Sequence, residues 1–216
     1  VQSSYSKEEV TILLQDVQGK VPVLDTKERE KLNQSGVHYS EMLPVEYAPS
    51  DEYLKLYKET LASQGKETAQ AVVNLASKIL KEKSLDNIVL VSLARAGTPV
   101  GILLKRYFDK YADVNHKHDI PHYTISIIRD KGFDKAAINY ILDNHPASSI
   151  VFVDGWVGKG AINRVLAEAV AELGMEGLSP ELAVLSDPAS ETPLYGTRND
   201  FLIPSACLNS TVSGLI

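Results

Sequence analysis

The first 83 or so residues are polar, and their apolar positions recur at helical spacing. From residue 87 onward, short unbroken apolar runs alternate with amphipathic stretches. In Ser6-Lys7-Glu8-Glu9 a hydroxyl able to cap a helix is answered by an acid three positions later, so a first helix is expected to about residue 16. A second helix, 26–33, starts behind Asp25 or Thr26 and stops near Gly36. Ser50 caps a third, which carries Tyr53, Leu54, Tyr57 and Leu61 at helical spacing, and 66–81 makes a fourth.

Beyond Asn87 the run Ile88-Val89-Leu90-Val91 leads through Arg95-Ala96-Gly97-Thr98-Pro99 into a helical pattern ending near Tyr111. This strand–loop–helix unit recurs as a strand at 122–128 with a helix at 134–142, and as a strand at 150–153 with a helix at 161–173. Shorter strands are expected at 182–185 and 201–203. Strands apolar on both faces and alternating with helices predict an α/β fold, a mostly parallel sheet flanked by helices. Ligands of such sheets sit beyond the carboxyl ends of the strands. The loops of interest are therefore 93–99, 129–134, 154–160, 186–199 and 204–210. The chain divides into a helical region, 1–83, and an α/β core, 84–216.

Composition narrows the function more than the fold. The 216 residues, 23.6 kDa, are 44% hydrophobic and 23% charged, which describes a globular chain of one domain or one plus a small appendage. A net charge of −6 gives no drive toward duplex nucleic acid or an anionic membrane. No run of 18 apolar residues occurs, and residues 1–20 lack the basic start and apolar stretch of a signal peptide. Cys207 is the single cysteine, so an intrachain disulfide is excluded and a reducing compartment, the cytoplasm, is the expectation.

The densest chemical signal is Val151-Phe152-Val153-Asp154-Gly155-Trp156-Val157-Gly158-Lys159-Gly160-Ala161-Ile162, an apolar strand ending in an acid and then a glycine-rich turn into a helix. Small residues let backbone N–H groups converge on an anion, and a helix start adds its positive dipole end. A Walker loop does not fit: Gly155 and Gly158 enclose two residues, and Gly160 rather than Ser or Thr follows Lys159. No G-x-G-x-x-G is present either. Before the preceding helix, Arg95 could grip diphosphate oxygens in bidentate fashion, and Gly97 would permit close backbone approach.

The 151–162 segment resembles the phosphoribosyl-pyrophosphate (PRPP) loop of type I phosphoribosyltransferases. With Ser92–Gly101, His122–Arg129, the 38–44 stretch and 204–215, the chain resembles the phosphoribosyltransferase-like proteins of tellurite-resistance and stress-response operons, some labelled cysteine protease StiP. The resemblance implies a type I phosphoribosyltransferase-like parallel sheet with an N-terminal helical hood. It also implies a PRPP-binding protein that transfers or releases ribose 5-phosphate with Mg²⁺ held through PRPP oxygens, Arg95 and Asp154 being the catalytic residues. Ala96, Gly97, Thr98 and the run Asp154, Gly155, Trp156, Val157, Gly158, Lys159, Gly160, Ala161 would bind PRPP. His38, Tyr39 and Glu41 would reach a base from the hood. The sequence departs from the pattern where Gly155 replaces a second acid, Val157 a Thr, and Gly158 and Lys159 hydroxyl residues.

Two alternatives stand beside the transferase. One is a module that binds a nucleotide or PRPP without turnover. The other is a cysteine peptidase with Cys207 as nucleophile, which would need a base such as one of the five histidines. His116, His118 and His122 fall within seven residues, yet 115–121 reads as a connection, so no protein metal cage is expected. Arg129-Asp130-Lys131-Gly132-Phe133-Asp134 follows the second strand, where its positive charge could stabilise a departing diphosphate, but it reads better as a solvated turn with Asp134 capping the next helix; in the hood, Glu41 or Glu46 could bind a cation. A small nucleotide-like ligand and a homodimer are the partners considered; membrane and duplex nucleic acid are not.

Overall fold

The computed structural model describes residues 3, 5–17, 19–45, 48–112, 116, 118–204 and 206. In chain order its elements are β1 (Thr11–Leu13), β2 (Val23–Leu24), α1 (Thr26–Gln34), β3 (Leu43–Pro44), α2 (Asp51–Glu82), β4 (Val89–Ala94), α3 (Gly97–Lys110), β5 (His122–Ile128), β6 (Gly132–Phe133), α4 (Lys135–Asn144), β7 (Ile150–Trp156), α5 (Ala161–Leu173), β8 (Leu182–Ser186) and β9 (Tyr195–Thr197). The central sheet runs β1-β5-β4-β7-β8-β9 with every neighbouring pair parallel. β6 pairs antiparallel with β5, and β2 with β3 forms a separate parallel pair.

The expected α/β sheet with helices on both faces is present, and strand periodicity explains its two core layers. Val89, Val91 and Leu93, with Phe152 beside them on β7, pack against Ile138, Ile141 and Leu166, while Leu90 packs against Leu75, Val100, Leu104 and Phe108 on the other side. Neighbouring residues of one strand thus serve opposite helical layers. The C-terminal half of α2 contributes Ala71, Val72, Leu75, Ala76 and Ile79 to that second layer.

Local chemistry sets several element ends. Asp25 and Glu28 form a reciprocal capping box on α1, Ser50 caps α2, and Asp134 accepts from the N–H groups of Ala136 and Ala137 to start α4. Three expectations change. Ser6 accepts from the N–H groups of Glu9 and Val10, but the turn ends there. The β-branched Thr11 and Ile12 then enter the sheet beside β5, so no helix reaches residue 16. The third and fourth helices are one helix of 32 residues, α2, because Gly65 lies in its middle without breaking it. The last strand is Tyr195–Thr197 rather than 201–203.

One buried polar chain was missed. Ser92 Oγ lies 2.7 Å from His122 Nε2, and His122 Nδ1 lies 2.8 Å from the Glu9 carbonyl oxygen. A carbonyl only accepts, so Nδ1 carries the hydrogen and Nε2 accepts from the Ser92 hydroxyl. Burial pushes the His122 pKa down to about 4. Ser92 is fully buried, and a Cβ at Gly101 would fall on its Oγ, so this serine–histidine pair is shut away from solvent and ties the segment before β1 to β4 and β5.

The sheet order reverses at β4: β5 lies on one side of it and β7 on the other. A crevice forms at such a point, beyond the carboxyl ends of the strands. Here those ends are the loops following Ala94 and Trp156.

Candidate functional site

The two loops singled out in the sequence meet at this reversal. A Cβ at Gly97 would fall on the Val153 carbonyl oxygen and 3.1 Å from Asp154 Cα, and one at Gly155 would lie 3.2 Å from the Ala96 carbonyl oxygen. Glycine at 97 is what lets α3 begin against β7. Arg95, partly exposed and joined to Ala94 by a cis peptide bond, and exposed Ala96 thus stand beside Asp154 and Gly155. Thr98 does not face the crevice: it is buried, with Oγ1 2.8 Å from Thr124 Oγ1.

Asp154 is partly exposed as a residue, at the end of β7. Loss of water around its carboxyl pushes the pKa up to about 7, against the opposing pull of the Gly155 N–H, which donates to Oδ1 at 2.7 Å. Because the folded pKa lies above the unfolded one, the folded state holds this proton at pH values where the unfolded chain has released it. The stability so gained is full at low pH and lost as pH rises through about 7. Asp154→Asn is uncharged at every pH and keeps an acceptor for Gly155. It is expected to stabilise the chain at pH 8 by about 2 kcal/mol, half the ~4 kcal/mol of a three-unit shift because the site is partly exposed, and by almost nothing at pH 4. Thermal unfolding of both chains at the two pH values checks this.

The glycine turn is filled from within the chain. The Trp156 ring lies over Gly158, so closely that a Cβ there would sit 2.5 Å from its Cη2. Gly160, at φ 71°, is the N-cap of α5, whose first residue is Ala161, and a Cβ on it would fall on Glu191 Oε2. The protein's own carboxylate therefore occupies the positive end of the helix dipole. Val157 turns its side chain into the core and donates its N–H to the Ser186 carbonyl oxygen at 3.1 Å, which explains an apolar residue there. The Lys159 carbonyl oxygen accepts from Arg164 Nη1 at 3.1 Å.

Glu191 is held in place by residues that sequence reasoning passed over. Asp187, fully buried after β8, accepts from the N–H groups of Glu191 (3.0 Å) and Thr192 (2.9 Å) and pairs with Arg198. Asn163 Nδ2 donates to the Glu191 carbonyl oxygen at 3.2 Å. The available signal was an acid directly behind the apolar run Leu182–Ser186, inside a loop already marked.

The 38–41 turn reaches the carboxyl end of β5. The His38 ring lies 4.4 Å from that of Tyr39, and its Nδ1 is 2.7 Å from Ser40 Oγ. Tyr39 Oη accepts from the Arg129 N–H at 3.3 Å, and Glu41 pairs with Lys131 at 3.0 Å. The polar atoms of Tyr39 and Glu41 thus tie this turn to the β5–β6 loop. Elsewhere, His145 Nε2 is 2.8 Å from Tyr123 Oη, and His118 Nδ1 is 3.7 Å from Asp86. Cys207 and Glu46 lie outside the described residues.

Fold and site together define a parallel α/β protein, wound to both sides of its first central strand, whose reversal-point turn is covered by its own indole and carboxylate. The chain belongs to the StiP family: the family model described as "Tellurite-like stress resistance cysteine protease StiP" matches residues 3–216. It is also 43% identical over 215 residues to a protein of Acinetobacter baylyi named "Cysteine protease StiP". The match covers 99% of this chain and 54% of that relative, so the chain spans about half the relative's length.

These similarities overturn the transferase reading. Both names describe a cysteine protease, and neither supports a phosphoribosyltransferase, PRPP or magnesium, which had been tied to PRPP oxygens alone. Trp156 over Gly158 and Glu191 against Gly160 supply a physical counterpart, since a carboxylate at the helix start repels the phosphate that the turn was expected to cradle. The stress-resistance expectation agrees with the family description. Among the described residues, no helix is long and apolar enough to cross a membrane.

Proposed function

We propose that this chain is a thiol-dependent peptidase in which Cys207 is the nucleophile. The observation that carries the reading is that a family named for a cysteine protease matches nearly the whole chain, and the chain contains one thiol. The relative's name supports the same chemistry.

The chemistry requires a thiolate. A free Cys is a few per cent ionised at pH 7 and intrinsically nucleophilic, and a nearby base raises that fraction. Attack of the thiolate on a peptide carbonyl forms a C–S bond, and the C–N bond breaks as the departing amine takes up a proton. Water then cleaves the thioester, releasing the acid and restoring the thiol.

The sheet is read further as a type I phosphoribosyltransferase-like scaffold put to another use. Its parallel strands, the glycine turn after β7 and the 38–41 turn over the carboxyl edge support that statement about fold.

The purified chain should hydrolyse an unfolded protein such as reduced casein. Stoichiometric iodoacetamide should abolish that hydrolysis, and a metal chelator should leave it unchanged. Hydrolysis that survives complete alkylation, or its absence with Cys207 intact, would remove the proposal.

A further inference from the structure

A cavity lies away from the reversal point, between the exposed half of α2 and the face of α3. Its volume is about 670 Å³, within the usual range of ligand sites. Leu61, Val73, Leu103, Tyr107, Ile203 and Pro204 are among its walls. Leu61 and Tyr111 in its lining are 47% and 68% exposed, so apolar side chains face water here. Arg106 is the one charged side chain in the lining, and its guanidinium is already paired with Glu9, with Nε donating to Oε1 at 2.7 Å. The groove therefore has no unmet demand for an anion.

Its position in the chain narrows the occupant. Ile203 and Pro204 form one wall, and Cys207 follows Pro204 by three residues, a stretch that spans at most about 11 Å. An extended peptide advances about 3.3 Å per residue, so a substrate with its scissile carbonyl at that thiol has side chains within reach of the groove.

We infer that the α2–α3 groove is the specificity subsite of the peptidase and takes bulky apolar side chains of an extended substrate. The inference rests on the reading of Cys207 as nucleophile. Folded proteins bury such side chains, so the substrate class is unfolded or extended polypeptide rich in Leu, Phe and similar residues. Affinity comes from apolar burial, and the groove disfavours acidic and strongly polar segments because its lining is mostly apolar and its one cation, Arg106, is already paired with Glu9.

Two independent readouts test this. Binding is followed by fluorescence anisotropy with two labelled peptides, one Leu- and Phe-rich and one Ser- and Gly-rich, on Cys207→Ala chain so that nothing is cleaved. The apolar peptide should bind at least ten-fold tighter, and adding Leu61→Asp, at an exposed helix position, should erase most of that difference. Cleavage of a peptide mixture by the unmodified chain should show Leu or Phe near the cut, with KM for such peptides raised about ten-fold by Leu61→Asp. The rate of Cys207 alkylation should stay the same in that variant.

Equal binding of the two peptides, or indifference to Leu61→Asp, overturns the groove assignment even if cleavage occurs. Apolar binding that Leu61→Asp weakens, in a chain that cleaves nothing, keeps the groove as a binding site and sinks the peptidase reading and with it the specificity role. Apolar binding that appears only after the residues beyond Ala206 are deleted identifies the groove as the seat of that segment and overturns the proposal.

Discussion

Replacing Cys207 by Ser is expected to lower kcat/KM for peptide hydrolysis at least about 1,000-fold, the scale on which loss of a nucleophile is felt. The reason lies in ionisation. A thiol near pKa 8.5 presents a usable thiolate at neutral pH, whereas a serine hydroxyl is scarcely ionised and needs a base positioned to take its proton as it attacks. Cys207→Ala should fall equally far, because neither side chain offers a thiolate. Steady-state kinetics on the three chains, with circular dichroism to establish that each is folded, decides the matter. A serine variant that keeps a tenth of the activity would place the nucleophile elsewhere.

Asp187→Ala is expected to produce the largest loss of stability at the carboxyl edge of the sheet. Asp187 is fully buried and satisfies two backbone N–H groups and Arg198, so truncation leaves the Glu191 and Thr192 amides without their acceptor. Breaking a buried pair typically costs 3–5 kcal/mol; Arg198, about a third exposed, can turn to water, so about 3 kcal/mol is expected. For a chain of this size that lowers Tm by roughly 6–12 °C. Asp187→Asn, which keeps one carbonyl acceptor, should lose less. A Tm within about 2 °C of the parent would mean that Asp187 does not anchor the 187–198 loop.

The same loop shows where sequence reasoning stops. Glu191 and Gly160 are 31 positions apart, and no periodicity announces that a carboxylate from one loop covers the helix start of another. The turn's shape was legible, since an acid and three glycines after an apolar strand specify a tight entry into α5. Its occupant was not, because that depends on how β8 and the loop after it return across the sheet. Reading shape as ligand led to the transferase.

The parallel core was legible for a simpler reason: β4, β7 and β8 are buried on both faces over most of their length, and strands so placed are apolar at nearly every position. The edges were less so. Tyr195-Gly196-Thr197 has no apolar run, and it is a strand because Gly196 lets it lie against α2, where a Cβ would fall on the Ala71 carbonyl oxygen. Ser6 to Glu9 carries a genuine helix-start signature that is spent on one turn, since pairing of Thr11–Leu13 with β5 outweighs continuing the helix to residue 16. Local chemistry was correct at Asp25, Ser50 and Asp134, where the cap is made within four residues of chain.

The most direct measurement is to mix the chain with an excess of an activated acyl ester built on a Leu- or Phe-containing peptide, quench with acid within the first turnovers, and map the acyl group by mass spectrometry. A thioester on Cys207 that forms in a burst and decays at the steady-state rate is the predicted result. Hydrolysis that proceeds while Cys207 remains unacylated would contradict it.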